Sequence, residues 1–595
     1  MENIRIASGG KACVTILTTA TPTPQENYAA TELRHYLNLM TAARPAFVIA
    51  GEAEGPVITI GAASARLGLS YDETRHGEDG FTVKSVDGNI ALVGGVRGII
   101  YAVYELLEQL GCRFFTALAE KVPCVPELTA PPLDITQKPV LEYRLHSYKD
   151  ISQFPRFAVK SRINASRTRE EYGGGIGYVP GWFVHTFEKI IHPDEYFDTH
   201  PEYFSEVDGK RKREFSQLCL TNPDVLEITV KKVSDTLRAH PESRIISVSP
   251  NDWYSFCTCD ACRAIDEREE TNAGSLIWFV NQVAERIEPE FPKAIVETLA
   301  YQYSRQVTKH LEPRHNVCIR LCSIESCFSH PFETCDDQTR KTPRPPNPAG
   351  EVIHTSFIED LQDWAKKSDR LYIWDYTTGF AHYPAPHANW AVLQPNMRSF
   401  INNNVKGVFK QPCGAWGGST DLNELRCYLL CKLMWDANCD IETHKREFCE
   451  FYYGAAAPFV LEYIRVLTEK VNNDNIHTGF NEQCDKAYLT DAMLDIYEGL
   501  FKKAEAAVLG DAIRHMRIKK AQLSFRWVRM KNAQMRGEAI DAAQVNAFFE
   551  DWRAHGLTRI DEWVSTETTL RALLDGKWRG TEYYHHWTDE GRERL

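Results

Sequence analysis

Carboxylates placed where a chain leaves an apolar strand are well positioned to move protons, and two acids in this sequence have that placement. In RIISVSPNDWYSFCTCDACRAI (residues 244–265) the apolar run empties into Pro250, Asn251, Asp252 and Trp253, so that an acid, an amide and an aromatic ring arrive together. Glu325 stands just past NVCIRLCS, beside Cys, Ser and His residues. Cleaving a glycosidic bond needs one group to protonate the leaving oxygen and a second to stabilise or attack the anomeric centre. Asp252 and Glu325 are the expected pair, with Asn251 able to bond hydroxyls and Trp253 offering an apolar face to a pyranose ring. The competing reading is that either acid pairs with an arginine such as Arg320 or caps a helix. Asp375, in YIWDYTT, is a further acid at a strand end, whereas Glu297 lies inside its strand and reads as structural. His185, His330 and His382 sit in loop-like segments from which they could bond sugar hydroxyls or transfer protons, but they lack the spacing of a catalytic metal motif.

Cys257, Cys259 and Cys262 form a C-x-C-x-x-C pattern whose thiolates could share a zinc ion if a fourth ligand came from elsewhere. With no second C-x-x-C, the expectation is no metal and no cofactor, the cysteines serving as local scaffolding, and structural zinc is the alternative. Cys318, Cys322, Cys327 and Cys335 read as small, half-buried apolar residues. The GGGIG run at 173–177 lacks the flanking strand and helix of a dinucleotide site, and GVRG at 95–98 lacks a P-loop lysine.

The elements that must position these residues change character along the chain. Residues 1–137 alternate strand and helix signals, with an Asp87-Gly88 hairpin and a helix over about 96–110 that stops at Gly111, and they read as a small α/β domain. Over 138–440 short apolar strands (LEYRLH, SRINAS, RIISVS, AIVETLAY, NVCIRLCS, RLYIWDY, GVFKQ) alternate with loops and helices, as in a (β/α)8 TIM-type barrel. The eighth unit is not evident. Over 441–595 only helical periodicity remains, which predicts a helical domain. An α/β fold follows, a barrel between a small α/β domain and a helical one.

The 595 residues carry a net charge of −13 with no basic stripe, which argues against nucleic acid as a partner, and no apolar window is long enough for a membrane span. Aromatics make up 11% of the chain, many in polar segments such as GWFVHTF, WDYTTGFAHYP and GAWGG that suit a carbohydrate groove. The expected partner is an oligosaccharide or glycan; oligomeric state stays open. Seventeen scattered cysteines and an amino terminus without signal-peptide character point to the cytoplasm, although a chain stripped of its leader would read the same.

The blocks SVSPNDWYSFCTCDACRAID, HTFEKIIHPDEYFDTHPEYFSEVDGKR with QLCLTNPDV, RLCSIESCFSHP and LRCYLLCKLMWDANCD together resemble the group known as domain of unknown function 4838, over about residues 1–460. Part of that group is glycoside hydrolase family 163, endo-β-N-acetylglucosaminidases that cut the chitobiose core of N-glycans. GGVRGIIYAVYELLEQLGCRFF resembles the small α/β domain that precedes the barrel in α-glucuronidases. The resemblance implies a retaining, substrate-assisted reaction in which Asp252 orients the substrate's acetamido group and Glu325 is the acid/base. It makes Asn251, Trp253, His185 and His330 subsite residues, with Tyr301, Trp374 and Asp375 as further candidates. Where the resembled group commonly has Glu-Gln-Gly after the Gly-Val-Phe strand, this chain has Lys410, which reverses a charge near the expected site and points toward an acidic sugar. The alternatives are accordingly an exo-glycosidase for uronic acid oligosaccharides and a carbohydrate-binding protein without catalysis.

Overall fold

The computed structural model describes residues 3–574 apart from 49, 52, 167–168, 347–349, 414–417 and 564. Most of the GAWGG segment lies outside the described residues, as do residues 575–595 of the carboxyl-terminal stretch. Two compact units form, and neither is one continuous stretch: residues 1–175 with 422–457, and residues 176–421 with 458–595.

In the first unit a six-stranded mixed sheet runs in the order Asp134–Gln137, Phe81–Val86, Asn89–Gly94, Val57–Ile60, Thr15–Leu17, Ala46–Val48. The Asp87-Gly88 turn joins its hairpin with both residues at positive φ (46° and 78°), the geometry that matches the twist of the paired strands. Helix Pro24–Thr41 starts on a capping box between Thr23 and Glu26, and helix Gly98–Gln109 ends just before Gly111, which is also left-handed. SRINAS, expected as a strand, is not one. A short helix, Pro155–Lys160, runs into it, Arg162 is left-handed (φ 59°), and the Asn164 carboxamide bonds Arg144 and Asp79, so side chains replace the ladder a strand would need.

The second unit holds a curled parallel sheet, a half-barrel, which is the part of the expected barrel seen among the described residues. Five of its strands lie in this unit, Ile245–Ser247, Ile295–Ala300, Val317–Cys322, Leu371–Tyr376 and Val405–Gln411, and they pair side by side in chain order. Strands two and three are buried at every position, as parallel strands covered on both faces must be. Even the charges inside them are paired: Arg320 lies 3.2 Å from Glu297, both fully buried. Connecting helices include Gly274–Ile287, Phe357–Lys367 and Leu393–Asn402. Helices Asp491–Ala507, Ala512–Met535, Ala542–Ala554 and Thr566–Leu574 belong to this same unit. Among the described residues no helix is long and apolar enough to cross a membrane.

Asp266 receives the Ser275 amide (2.6 Å) at the start of helix Gly274–Ile287, and burial raises its pKa from 3.8 to about 7. A carboxyl raised in this way contributes stability that is complete below the unfolded value and lost as pH rises through about 7. Asp266→Asn should therefore leave the melting temperature nearly unchanged in acid and raise it progressively above the wild type as pH rises from 3.8 to about 7. Parallel melting curves for the two proteins across that range would contradict the assignment.

Candidate functional site

Side chains on successive strand residues alternate between the two faces of a sheet, so the site begins with the question of which residues share a face. Arg320 stacks on Tyr178, Phe183 and Trp374, with its guanidinium 4.7–5.7 Å from their ring centroids. Trp374 in turn donates to Gln411 (2.8 Å) and meets Phe409 edge-on. Glu297, Arg320, Trp374, Phe409 and Gln411 thus share the inner face. Tyr376 follows the same alternation.

Asp375 and Lys410 lie on the opposite face. Lys410 donates to the Asp375 carboxylate and sits 4.9 Å from the ring of Phe400 in helix Leu393–Asn402, and Ser323 completes the Asp375 shell at 2.5 Å. Lys410 is 1% exposed and Asp375 4%. The charge that stands out in the sequence is therefore neutralised under a helix, on the face away from Trp374.

The loop after the first strand carries Asn251, Asp252 and Trp253. Gln217 clamps it: its amide nitrogen donates to the carbonyls of Asn251 (2.8 Å) and Trp253 (2.6 Å), and its oxygen accepts the Asn251 amide (2.8 Å). The Asn251 side chain is itself consumed, accepting from Glu188 and donating to Ser216, both at 2.9 Å, so it builds the loop rather than facing outward. Trp253 packs edge-on against Phe215 and, with Glu188, His192, Asp194, Arg213 and Phe215, lines a cavity of about 300 Å³. Asp252 differs from its neighbours, because its Oδ1 is buried and has no hydrogen-bond partner among the described residues. A buried carboxylate oxygen in that state calls for a donor from a ligand.

Glu325, three residues past the third strand, keeps 23% of its side chain exposed and is held by Arg305 at 3.2 Å. Arg305 is fully buried and shared with Asp360 (2.7 Å) and the Thr355 carbonyl (2.8 Å), so Glu325 has a rigid anchor at its back. Both acids act electrostatically on the same groups. Burial pushes the Tyr301 phenol well above its ordinary range, and the charges of Asp252 and Glu325 push it further. Tyr376 and Cys322 are raised by burial and by the same two carboxylates.

His185 completes this group, its ring centroid 6.2 Å from that of Tyr301. Its backbone is left-handed (φ 53°), a conformation unusual outside glycine, and is held by Ser249, whose Oγ accepts the His185 amide at 2.9 Å. Its Nδ1 lies 2.7 Å from the Pro250 carbonyl, which can only accept, so Nδ1 carries a proton and Nε2 is the nitrogen left for a ligand. His330 is elsewhere, 3.5 Å from Cys327 and with its ring tilted at 51° to that of His477. His382 bonds Gln483 at 3.0 Å and burial lowers its pKa to about 3, so it is a neutral core residue.

Sequence reasoning did not assign roles to Gln217, Arg305 or Tyr376, nor find Cys219. Cys219 brings the fourth sulfur to Cys257, Cys259 and Cys262, with all four within 4.8 Å of one another. Two further groups have metal-ligating atoms equally close: Cys327, His330, Cys335 and His477, and in the first unit His146, Cys427 and Cys431.

The model of the family described as domain of unknown function (DUF4838) matches residues 114–465, more than half of the chain. The chain belongs to this family. No curated protein matches it. Among solved structures it is similar to a family GH115 4-O-methyl-α-glucuronidase with specificity for decorated arabinogalactans, at 10% identity and a TM-score of 0.59, with 97% of this chain and 78% of that one covered. It also aligns with a GH138 enzyme targeting pectin rhamnogalacturonan II (12% identity, TM-score 0.42, 98% of each chain) and with a Streptomyces plicatus β-hexosaminidase mutant holding N-acetylglucosamine (11% identity, TM-score 0.38, 79% of this chain and 92% of that one). The likeness to the glucuronidase is one of fold.

Lys410→Met would strand the buried Asp375 carboxylate and should cost about 3–5 kcal/mol of unfolding free energy, most of it recovered in the Lys410→Met/Asp375→Asn double variant. Denaturant unfolding of the three proteins measures this, and an unaffected single variant would contradict the pairing.

Proposed function

We propose that the chain is a glycoside hydrolase in which Asp252 and Glu325 are the working carboxylates, acting on an N-acetylhexosamine by a retaining, substrate-assisted route. The observation that carries the reading is the contrast between two acids that act electrostatically on the same tyrosines. Asp252 keeps a buried oxygen without a protein donor, which suits a carboxylate that takes the N–H of an acetamido group and turns its oxygen toward the anomeric carbon. Glu325 is anchored from behind by Arg305 yet open in front, which suits a group that exchanges a proton with the leaving oxygen and then with water. Tyr301 and Tyr376, both kept protonated, are available as hydrogen-bond donors beside them, and His185 leaves its Nε2 for a ligand.

The curled parallel sheet is read as part of a (β/α)8-type barrel, whose strand ends carry catalytic groups on one rim. The likeness of fold to a glucuronidase is in keeping with a polysaccharide or glycan substrate. Action on acidic oligosaccharides would need a cation facing the sugar, and Lys410, the residue that raised the idea, is buried against Phe400 and neutralised by Asp375.

Hydrolysis of a panel of chromogenic N-acetylglucosaminides and uronides tests the proposal. The N-acetyl substrates should be cleaved, and Asp252→Asn and Glu325→Gln should each lower kcat by about 10²–10⁴ without unfolding the protein. Full activity in either variant would remove that residue from the mechanism, and sugar binding without turnover on any substrate would favour a binding protein.

A further inference from the structure

Of the three groups of sulfurs and imidazoles outside this chemistry, two draw most of their ligands from the segments that follow Asp252 and Glu325 in sequence. We propose that Cys327, His330, Cys335 and His477 bind a structural zinc ion. The first three come from the segment that follows Glu325, in a C-x-x-H-x-x-x-x-C pattern, and His477 comes from the loop after helix Ala457–Asn473. Cys327 Sγ lies 3.5 Å from His330 Nδ1 and 3.4 Å from His477 Nδ1, and Cys335 Sγ lies 3.7 Å from His477 Nδ1. Zinc bonds of about 2.3 Å to sulfur and about 2.05 Å to nitrogen, set at tetrahedral angles, put sulfur and nitrogen about 3.6 Å apart. The observed edges are those of a tetrahedron that size.

The surroundings fit the same occupant. His477 Nε2 faces Asp336 Oδ1 at 3.2 Å, the carboxylate contact that commonly orients a metal-bound imidazole from behind. The His477 segment is docked on the Cys327 loop by backbone: Phe328 donates to the Thr478 carbonyl (2.9 Å), and Ser329 Oγ accepts from the Thr478 amide (3.1 Å) while donating to the Ile476 carbonyl (2.7 Å). Each thiol can donate only one weak hydrogen bond in this group, whereas a divalent cation draws lone pairs from all four ligands at once. Sulfur and imidazole in equal number select zinc, and four protein ligands leave no open position for chemistry. The ion would tie the loop two residues beyond Glu325 to a segment about 150 residues away in the chain.

A second zinc site rests on separate observations. Cys219, Cys257, Cys259 and Cys262 converge within 4.8 Å, with Cys219 and Cys259 3.7 Å apart, close to the sulfur–sulfur edge of a four-cysteine zinc site. Thiolates need donors, and they are present: the Glu206 amide (3.3 Å) and Arg211 (3.7 Å) both point at Cys257. This ion would fix the loop beyond Asp252.

Elemental analysis of the full chain, purified under reducing conditions without chelator, decides both sites independently of any activity. Roughly two zinc ions per chain are expected. His477→Ala and Cys219→Ser should each lose one, and His477→Cys should regain it, which separates ligand loss from misfolding. Unchanged zinc in His477→Ala overturns the first site and unchanged zinc in Cys219→Ser the second. A wild-type chain that holds no zinc and takes none up on titration overturns both. An intact mass showing Cys327 and Cys335 joined as a disulfide in the reduced preparation also overturns the first.

Discussion

The hydrogen-bond ladder between parallel strands is the constraint on which the site depends. It fixes neighbouring strands about 4.8 Å apart and brings their carboxyl ends to one edge, so loops leaving the first and third strands start about 10 Å from each other. Asp252 and Glu325, 73 residues apart in sequence, leave strands of one sheet, and burial together with both carboxylates raises the pKa of Tyr301, Tyr376 and Cys322. The same ladder decides which face each residue takes. Trp374 and Tyr376 turn inward, while Asp375 between them turns out to Lys410, its direct partner in the register of the adjacent strand.

Charge inside such a sheet has to be matched locally, because an unpaired buried ion costs several kcal/mol. Glu297 pairs with Arg320 on the inner face, Asp375 with Lys410 on the outer, and Asp360 with Arg305 behind Glu325. Glu297 and Asp360 also keep buried oxygens without a hydrogen bond but have an arginine beside them, whereas the buried Oδ1 of Asp252 has neither among the described residues, and that is the reason a ligand donor is proposed there. The loops outside the ladder need other supports. Gln217 clamps one through three hydrogen bonds, and Arg305 holds the acid of the other.

Much of this was legible in the sequence where a local pattern and a fixed geometry coincide. Apolar runs ending in Asn-Asp-Trp and in Ser-Ile-Glu marked two strands of the parallel sheet, and the Asp-Gly hairpin followed from turn chemistry alone. The misreadings came from contacts that no local pattern encodes. Lys410 looked like an intruding charge because the one-residue alternation that turns it toward Phe400 depends on register with the neighbouring strand. Asn251 looked free because its partners, Ser216 and Glu188, lie more than thirty residues upstream. His330 looked like a sugar ligand because His477, its ring partner, is in another part of the chain. Cys219, the fourth sulfur, was hidden for the same reason.

The central claim is that Asp252 presents its unpaired oxygen to an acetamido group that then attacks the anomeric carbon. Its most direct test is the hydrolysis rate of a series of aryl N-acylglucosaminides in which fluorine is added stepwise to the acetyl methyl, compared with the aryl glucoside that has no acetamido group. Neighbouring-group attack predicts a steep fall in kcat as fluorine weakens the amide oxygen as a nucleophile, and no cleavage of the plain glucoside. Equal rates across the series, or a glucoside cleaved as fast as the N-acetyl substrate, would contradict it.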